Sequence, residues 1–307
     1  MLILVLSILG GLALLAFGGE VLVRGAVAIS HRLGLSNLVT GLIIVGAATS
    51  MPEMVASVQA ALLGSPEIAW GNIAGSNIAN SLLILGATAL IAPIVLTGLG
   101  RRDAVVGVGA ALVLMVLGFA QIGSVWIGIG LLGLLATYLY WRYNHPAGVD
   151  EDDGEGAVHS LPLAIVLTVA GVGLLIGGGL MLVDGAIALA TIAGLSETVI
   201  GLTIVAIGTS LPELAASIVA AFRGKPGLAV GNVLGSNIFN ILLIGGATMT
   251  IAPVPVPDTM TAYDLPFNAA VAVLLWVLLA TRERIGRWLG AALLTVFAIN
   301  TAYLLLG

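Results

Sequence analysis

Two polar blocks recur at a fixed distance inside an otherwise lipid-soluble chain, and this recurrence limits the possible folds more than any other feature. The first block is ThrSerMetProGlu at 49–53 with GlyAsnIleAlaGlySerAsnIleAlaAsn at 71–80. The second is ThrSerLeuProGlu at 209–213 with GlyAsnValLeuGlySerAsnIlePheAsn at 231–240. Glu53 and Glu213, like Asn80 and Asn240, stand 160 positions apart. A strict offset means one duplicated unit. Each copy carries a carboxylate into an apolar segment, where an ionisable group is costly and marks a functional site.

The surroundings of these blocks are 60% hydrophobic and 8% charged residues with a mean hydropathy of +1.18, too little polar surface to cover a water-soluble globule. Runs long enough to cross roughly 30 Å of hydrocarbon as helices fall at about residues 2–30, 38–63, 68–94, 104–119, 123–141, 161–193, 198–221, 228–252, 265–280 and 285–305. They predict an all-α polytopic membrane protein with ten transmembrane helices. The N-terminal run lacks a basic leader and a small-residue cleavage site, so it reads as the first helix and not as a removable signal.

Lys and Arg collect in cytoplasmic loops, and nine of the ten here follow odd-numbered spans: Arg32, Arg101, Arg102, Arg142, Arg223, Lys225, Arg282, Arg284 and Arg287. The tenth, Arg24, lies inside the first span, four residues from Glu20 with which it forms a local pair. A multi-pass cell (inner) membrane protein with both termini outside the cytoplasm is expected. Trp70, Trp126, Trp141 and Trp288 lie near span ends and read as interface anchors. The acidic run at Asp150–Glu155 lacks the spacing of a calcium-binding loop and reads as a solvated linker.

The duplication divides the chain into a first five-helix repeat at 1–141 with its motif at 41–81, a cytoplasmic acidic connector at 142–160, and a second repeat at 161–307 with its motif at 201–241. An odd number of spans per repeat inverts the second copy. Inverted repeats are typical of secondary transporters, whose sites lie near the midplane between the repeats. Pro52 and Pro212 cannot donate to the carbonyls of Ala48 and Gly208, so the second helix of each repeat should break there. Broken backbone at membrane depth is tolerated where it is buried or lines a hydrated cavity, and there it can coordinate cations.

Thr49, Ser50 and Glu53 share one helical face, as do Asn72, Ser76 and Asn80 at four-residue spacing; Thr209, Ser210, Glu213, Asn232, Ser236 and Asn240 repeat the pattern. The pairs Gly71 and Gly75, and Gly231 and Gly235, should allow close helix packing. The candidate ligands form an all-oxygen set with two negative charges and no His or Cys. Hard cations such as Ca²⁺ and Na⁺ fit it, whereas Zn²⁺ or Cu²⁺ would ask for nitrogen or sulfur.

At these residues the chain resembles the cation/calcium exchanger superfamily, and within it the prokaryotic sodium/calcium exchangers, whose paired repeats read close to GlyThrSer-x-ProGlu and GlyAsn-x-x-GlySerAsn-x-x-Asn/Asp. The resemblance implies that Glu53 and Glu213 bind Ca²⁺ and share Na⁺, with Thr49, Ser50, Thr209, Ser210, Ser76 and Ser236 as hydroxyl ligands. It further implies main-chain ligands at Gly46 and Ala206 and paired amide positions at Asn80 and Asn240. The first and sixth helices are then expected to slide against the rest. Ala48 replaces the usual Gly of the first GlyThrSer, and Asn240 is an amide where some relatives carry Asp.

The expected function is therefore a secondary antiporter exchanging cytoplasmic Ca²⁺ for external Na⁺, with Ca²⁺/H⁺ exchange as the alternative coupling. Its partners are these two ions and the bilayer. Neither a cofactor, nor nucleic acid, nor an obligate protein partner is implied. A hydrolase using Ser50 or Ser210 would lack an intramembrane His or Lys base, and a passive channel would need no counter-ion.

Overall fold

A computed structural model describes residues 2–96, 98–145, 160–192 and 208–306. Two 32-residue helices, α1 (Leu2–Leu33) and α7 (Leu161–Ile192), form one long pair. Gly11, Gly18 and Gly25 on α1 and Gly171, Gly178 and Gly185 on α7 each recur every seven residues. A Cβ built on Gly18 would sit 2.9 Å from the Leu175 nitrogen, and one on Gly178 would sit 2.9 Å from the Leu15 nitrogen. The two backbones therefore touch, as small residues at a membrane helix interface permit. Gly11 meets Leu182, Gly18 meets Leu175 and Gly25 meets Thr168, so the helices run antiparallel.

The second predicted span is broken. Its halves, α2 (Asn37–Thr49) and α3 (Met51–Leu62), meet at Ser50 and are bent by 44°. Pro52 stands in the first turn of α3, where its missing N–H is harmless. In the other copy only α8 (Leu211–Phe222) is described, with Pro212 again in its first turn. Residues 193–207, which hold the first ten positions of the predicted 198–221 span, lie outside the described residues, as do 146–159 of the connector.

Two 26-residue helices, α4 (Pro66–Ile91) and α9 (Pro226–Ile251), occupy the centre. Their apolar stretches are 78% and 94% buried, against 17–39% for the other spanning helices, so those others form the shell toward lipid. Both central helices widen to a π-turn beginning at the same repeat position, Asn80–Ile84 in one and Asn240–Gly245 in the other. α5 (Arg101–Ala120), α6 (Val125–Asn144), α10 (Asp264–Thr281) and α11 (Arg287–Leu306) complete the shell. Among the described residues, eight helices are long and apolar enough to span a membrane, or nine with the bent α2–α3 pair counted as one.

The loops pair by side. After α4, β1 (Ile94–Val95) pairs antiparallel with β2 (Arg284–Ile285), which precedes α11, and Leu96 N–H donates to the Glu283 carbonyl at 2.7 Å. Beyond α5, Gln121 Nε2 donates to the Val256 carbonyl at 2.9 Å.

Two sequence expectations are corrected. Trp70 is no interface anchor: it is 0% exposed and packs against Gly245, because α4 is a central helix whose first turns are already inside the protein. Trp126 and Trp288 are exposed as expected. Arg142 is likewise not a loop cation. It is buried on the last turn of α6, where its Nε lies 3.0 Å from Asp103 Oδ1, to which Tyr138 also donates at 2.9 Å.

Candidate functional site

Each copy places its Glu by the same local device. Ser50 has φ −81° and ψ 5°, a sparsely populated conformation that interrupts the helix just before the proline, and Ser210, just before α8, has the matching φ −90° and ψ 5°. The next helix restarts at once, so Glu53 and Glu213 lie in first turns, where free N–H groups favour a carboxylate. Both are only 2% exposed.

The central helices brace these turns identically. Asn72 Nδ2 donates to the Glu53 carbonyl at 3.2 Å and to Ser57 Oγ at 2.9 Å. Asn232 Nδ2 donates to the Glu213 carbonyl at 3.1 Å and to Ser217 Oγ at 2.9 Å. Asn72 and Asn232 are thus supports for the glutamate backbone. Their partners Ser57 and Ser217 were missed from sequence, although they too stand 160 positions apart and could have been found by that offset.

The halves interlock. Gly41, Gly231 and Gly235 bring α2 and α9 into backbone contact: a Cβ on Gly235 would strike the Leu42 carbonyl oxygen, and one on Gly41 that of Leu228. For Gly71 and Gly75 no described residue lies within 4 Å of an added Cβ. Through the α2–α9 contact Thr49 Oγ1 reaches Asn232 Oδ1 at 3.3 Å, and Ser236 Oγ reaches the Gly46 carbonyl at 3.4 Å. Glu213 faces Glu53 and the side chains of Thr49 and Ser50. Two carboxylates from different repeats thus meet at one place.

Of the predicted site residues, Glu53, Glu213, Thr49, Ser50, Ser210, Ser76, Ser236, Asn80 and Asn240 are buried, Thr209 is half-buried, and Gly46 lies at the interlocked face. Ala206 lies outside the described residues. Glu53 Oε2, Glu213 Oε2 and Asn240 Oδ1 are all buried and lack a hydrogen-bond donor among the described residues. A buried polar atom without a partner is costly, and all three are acceptors, the two carboxylates in their ionised form. A cation is the chemical complement of such a set. Among the described residues no three His, Cys, Asp or Glu gather into a metal-binding group, at this site or elsewhere.

Comparison with known proteins agrees over the whole chain. The family model described as sodium/calcium exchanger protein matches residues 3–144 and 163–306. An uncharacterized membrane protein of Methanocaldococcus jannaschii is 36% identical over 302 residues, covering 97% of this chain and 96% of its own. The sodium/calcium exchanger MaX1 of Methanosarcina acetivorans is 30% identical over 337 residues, covering 95% of each. Among solved structures, the sodium-calcium exchanger NCX_Mj soaked with zero Na⁺ and Ca²⁺ is similar at a TM-score of 0.85 and 32% identity, covering 99% of both chains. Forms of that exchanger soaked with Na⁺ and Sr²⁺ or Ca²⁺ are similar at a TM-score of 0.84.

Proposed function

We propose, from the premise that this chain belongs to the sodium/calcium exchanger protein family, that it exports cytoplasmic Ca²⁺ in exchange for external Na⁺ by alternating access. It is an antiporter of that family, a transporter and not an enzyme. The observation that carries the reading is the acceptor-only cluster between the repeats. Two carboxylates balance one Ca²⁺ or two Na⁺, and neither can be left unbalanced in a low-dielectric interior without large cost. That cost disfavours an empty site during reorientation and makes exchange obligatory.

Glu53 and Glu213 hold the exchanged ions. Thr49, Ser50, Ser76, Asn80, Thr209, Ser210, Ser236 and Asn240 complete the shells with the carbonyls of Gly46 and Ala206. The scaffold is ten helices in two inverted five-helix repeats, 1–141 and 161–307, joined by the connector at 142–160. Antiparallel packing of α1 on α7 supports the inversion. So does the matched bracing of the two Glu turns. The pairing of β1 with β2, which follow the third and ninth spans, supports a common cytoplasmic side for loops after odd-numbered spans. Both termini then lie outside the cytoplasm of the cell (inner) membrane.

Protonation of the two carboxylates would also neutralise the site, which keeps Ca²⁺/H⁺ exchange as a second reading. The deciding experiment is ⁴⁵Ca²⁺ uptake into Na⁺-loaded proteoliposomes diluted into Na⁺-free buffer, with a proton ionophore and a K⁺-loaded control. Uptake only with internal Na⁺ is expected. Uptake that ignores Na⁺ and follows a pH gradient once the ionophore is omitted would replace this reading by the second.

A further inference from the structure

Asn77 and Asn237 belong to neither the ligand set nor the braces of the glutamate turns, yet both are buried and each reaches the opposite repeat. Asn240 Nδ2 donates to Asn77 Oδ1 at 3.0 Å, and Asn80 Nδ2 donates to Asn237 Oδ1 at 3.1 Å. The two bonds cross between α4 and α9. We infer that Asn77 and Asn237 are positioning residues that hold the Asn240 and Asn80 amides with their oxygens turned toward the transported ions.

The two ends of an amide have nearly the same shape, so hydrogen-bond partners decide which way it points. Asn77 Nδ2 donates to the main-chain carbonyl of Asn237 at 3.1 Å. A carbonyl only accepts, so this end of Asn77 must be its nitrogen. Asn77 therefore turns Oδ1 to Asn240, and Asn240 must answer with Nδ2. Its own oxygen is thereby directed away from Asn77, and it is the buried Oδ1 that lacks a donor among the described residues. A flipped Asn240 would set oxygen against oxygen at Asn77 and present an N–H dipole to a cation.

The other half is held less strictly. Asn237 Nδ2 donates to Ser81 Oγ at 2.8 Å, and a hydroxyl can accept or donate. Orientation at Asn240 is thus fixed by a main-chain carbonyl, whereas at Asn80 it is fixed by a rotatable group. Position 241, which matches Ser81 in the other repeat, is Ile, so the symmetric bond has no counterpart.

This inference rests on the ion-binding reading above, and the test separates the two. Na⁺-driven ⁴⁵Ca²⁺ uptake is measured against Ca²⁺ concentration for wild type, Asn77→Ala, Asn77→Ser and Asn268→Ala. Asn268 is buried and lines one cavity with Asn77, Ser81 and Asn237; among the described residues its amide nitrogen lacks a partner and it makes no hydrogen bond to Asn80 or Asn240. Loss of a group that orients a metal ligand typically weakens binding about 10–100-fold, so half-saturating Ca²⁺ should rise about tenfold or more in both Asn77 variants. The maximal rate should stay within about twofold, the signature of lost ion binding and not of a broken cycle. Asn77→Ser keeps a small polar group and serves if the alanine variant does not fold.

An unchanged half-saturation in a folded Asn77 variant would overturn the inference. An equal rise in Asn268→Ala would also overturn it, since general loosening of the cluster would then suffice. A wild type without Na⁺-driven uptake would remove the functional reading and this inference with it.

Discussion

Glu20 on α1 and Arg223 at the end of α8 form an ion pair across 203 positions of sequence. Arg223 Nε donates to Glu20 Oε2 at 2.7 Å and its Nη2 to Oε1, while Arg24 holds Oε1 at 2.5 Å. The local Glu20–Arg24 pair expected from sequence is therefore one part of a three-residue cluster joining the long α1–α7 pair to a helix that carries a site glutamate. If α1 slides during exchange, this tie has to open. Arg223 is about half-exposed, so the tie is worth at most about 1 kcal/mol. Arg223→Ala should leave thermal stability nearly unchanged and raise the saturated exchange rate by up to about fivefold, since about 1 kcal/mol off a barrier is a factor of five. An unchanged rate would make the cluster a passive contact.

The Asp103–Arg142 pair is of another kind, because both side chains are almost fully buried. Arg142 also donates Nη1 to the His145 carbonyl at 2.7 Å, and Tyr138 donates to Asp103. Removing one member strands a buried charge, which typically costs about 3–5 kcal/mol. Asp103→Ala should lower the thermal stability of the detergent-solubilised protein strongly. A joint replacement by Asp103→Leu and Arg142→Met should recover most of the loss, because no charge is then left unpaired. Equal stability of the single and joint variants would contradict this account.

Backbone contact between α2 and α9 leads to a prediction at one glycine. Any Cβ at Gly235 strikes the Leu42 carbonyl, so Gly235→Ala must push the helices apart and carry Ser236 away from Gly46. Gly130 on the exposed face of α6 has no described neighbour within 4 Å of an added Cβ. Gly130→Ala should be neutral or stabilising by up to about 1 kcal/mol, as helix propensity favours Ala. Uptake measured side by side should fall sharply in Gly235→Ala alone.

The polar blocks made the site legible because an acid in an apolar chain is costly, and one that recurs at a fixed offset bears that cost twice for the same chemistry. The break at Ser50 was readable for a local reason, the proline two residues later, and Ser210 takes the same conformation before Pro212. What the sequence hid is which residues touch. Trp70 looked like an anchor because hydropathy does not distinguish a helix inside the bundle from one against lipid. Arg142 looked like a loop charge because its partner, Asp103, is 39 positions away on another helix. Asn77 and Asn237 were masked by adjacent serines that fitted the expected ligand pattern, and their roles appear only once α4 and α9 are seen to cross.

The two glutamates set function against stability. Each has a buried carboxylate oxygen without a donor among the described residues, and each faces the other across the repeats. In the absence of ions such a pair is a liability, since like charges in a low-dielectric setting repel and are poorly solvated. Glu53→Gln or Glu213→Gln removes one charge at nearly constant shape. Each variant should therefore be at least as thermally stable as wild type in ion-free buffer. Each should also lose the stabilisation that Ca²⁺ gives the wild type, because a ligand stabilises only the state it binds, and Na⁺-driven Ca²⁺ uptake should cease. Thermal unfolding with and without Ca²⁺, run beside the transport assay, checks all three. A variant that kept both its Ca²⁺-dependent stabilisation and its uptake would show that the glutamates do not hold the ion.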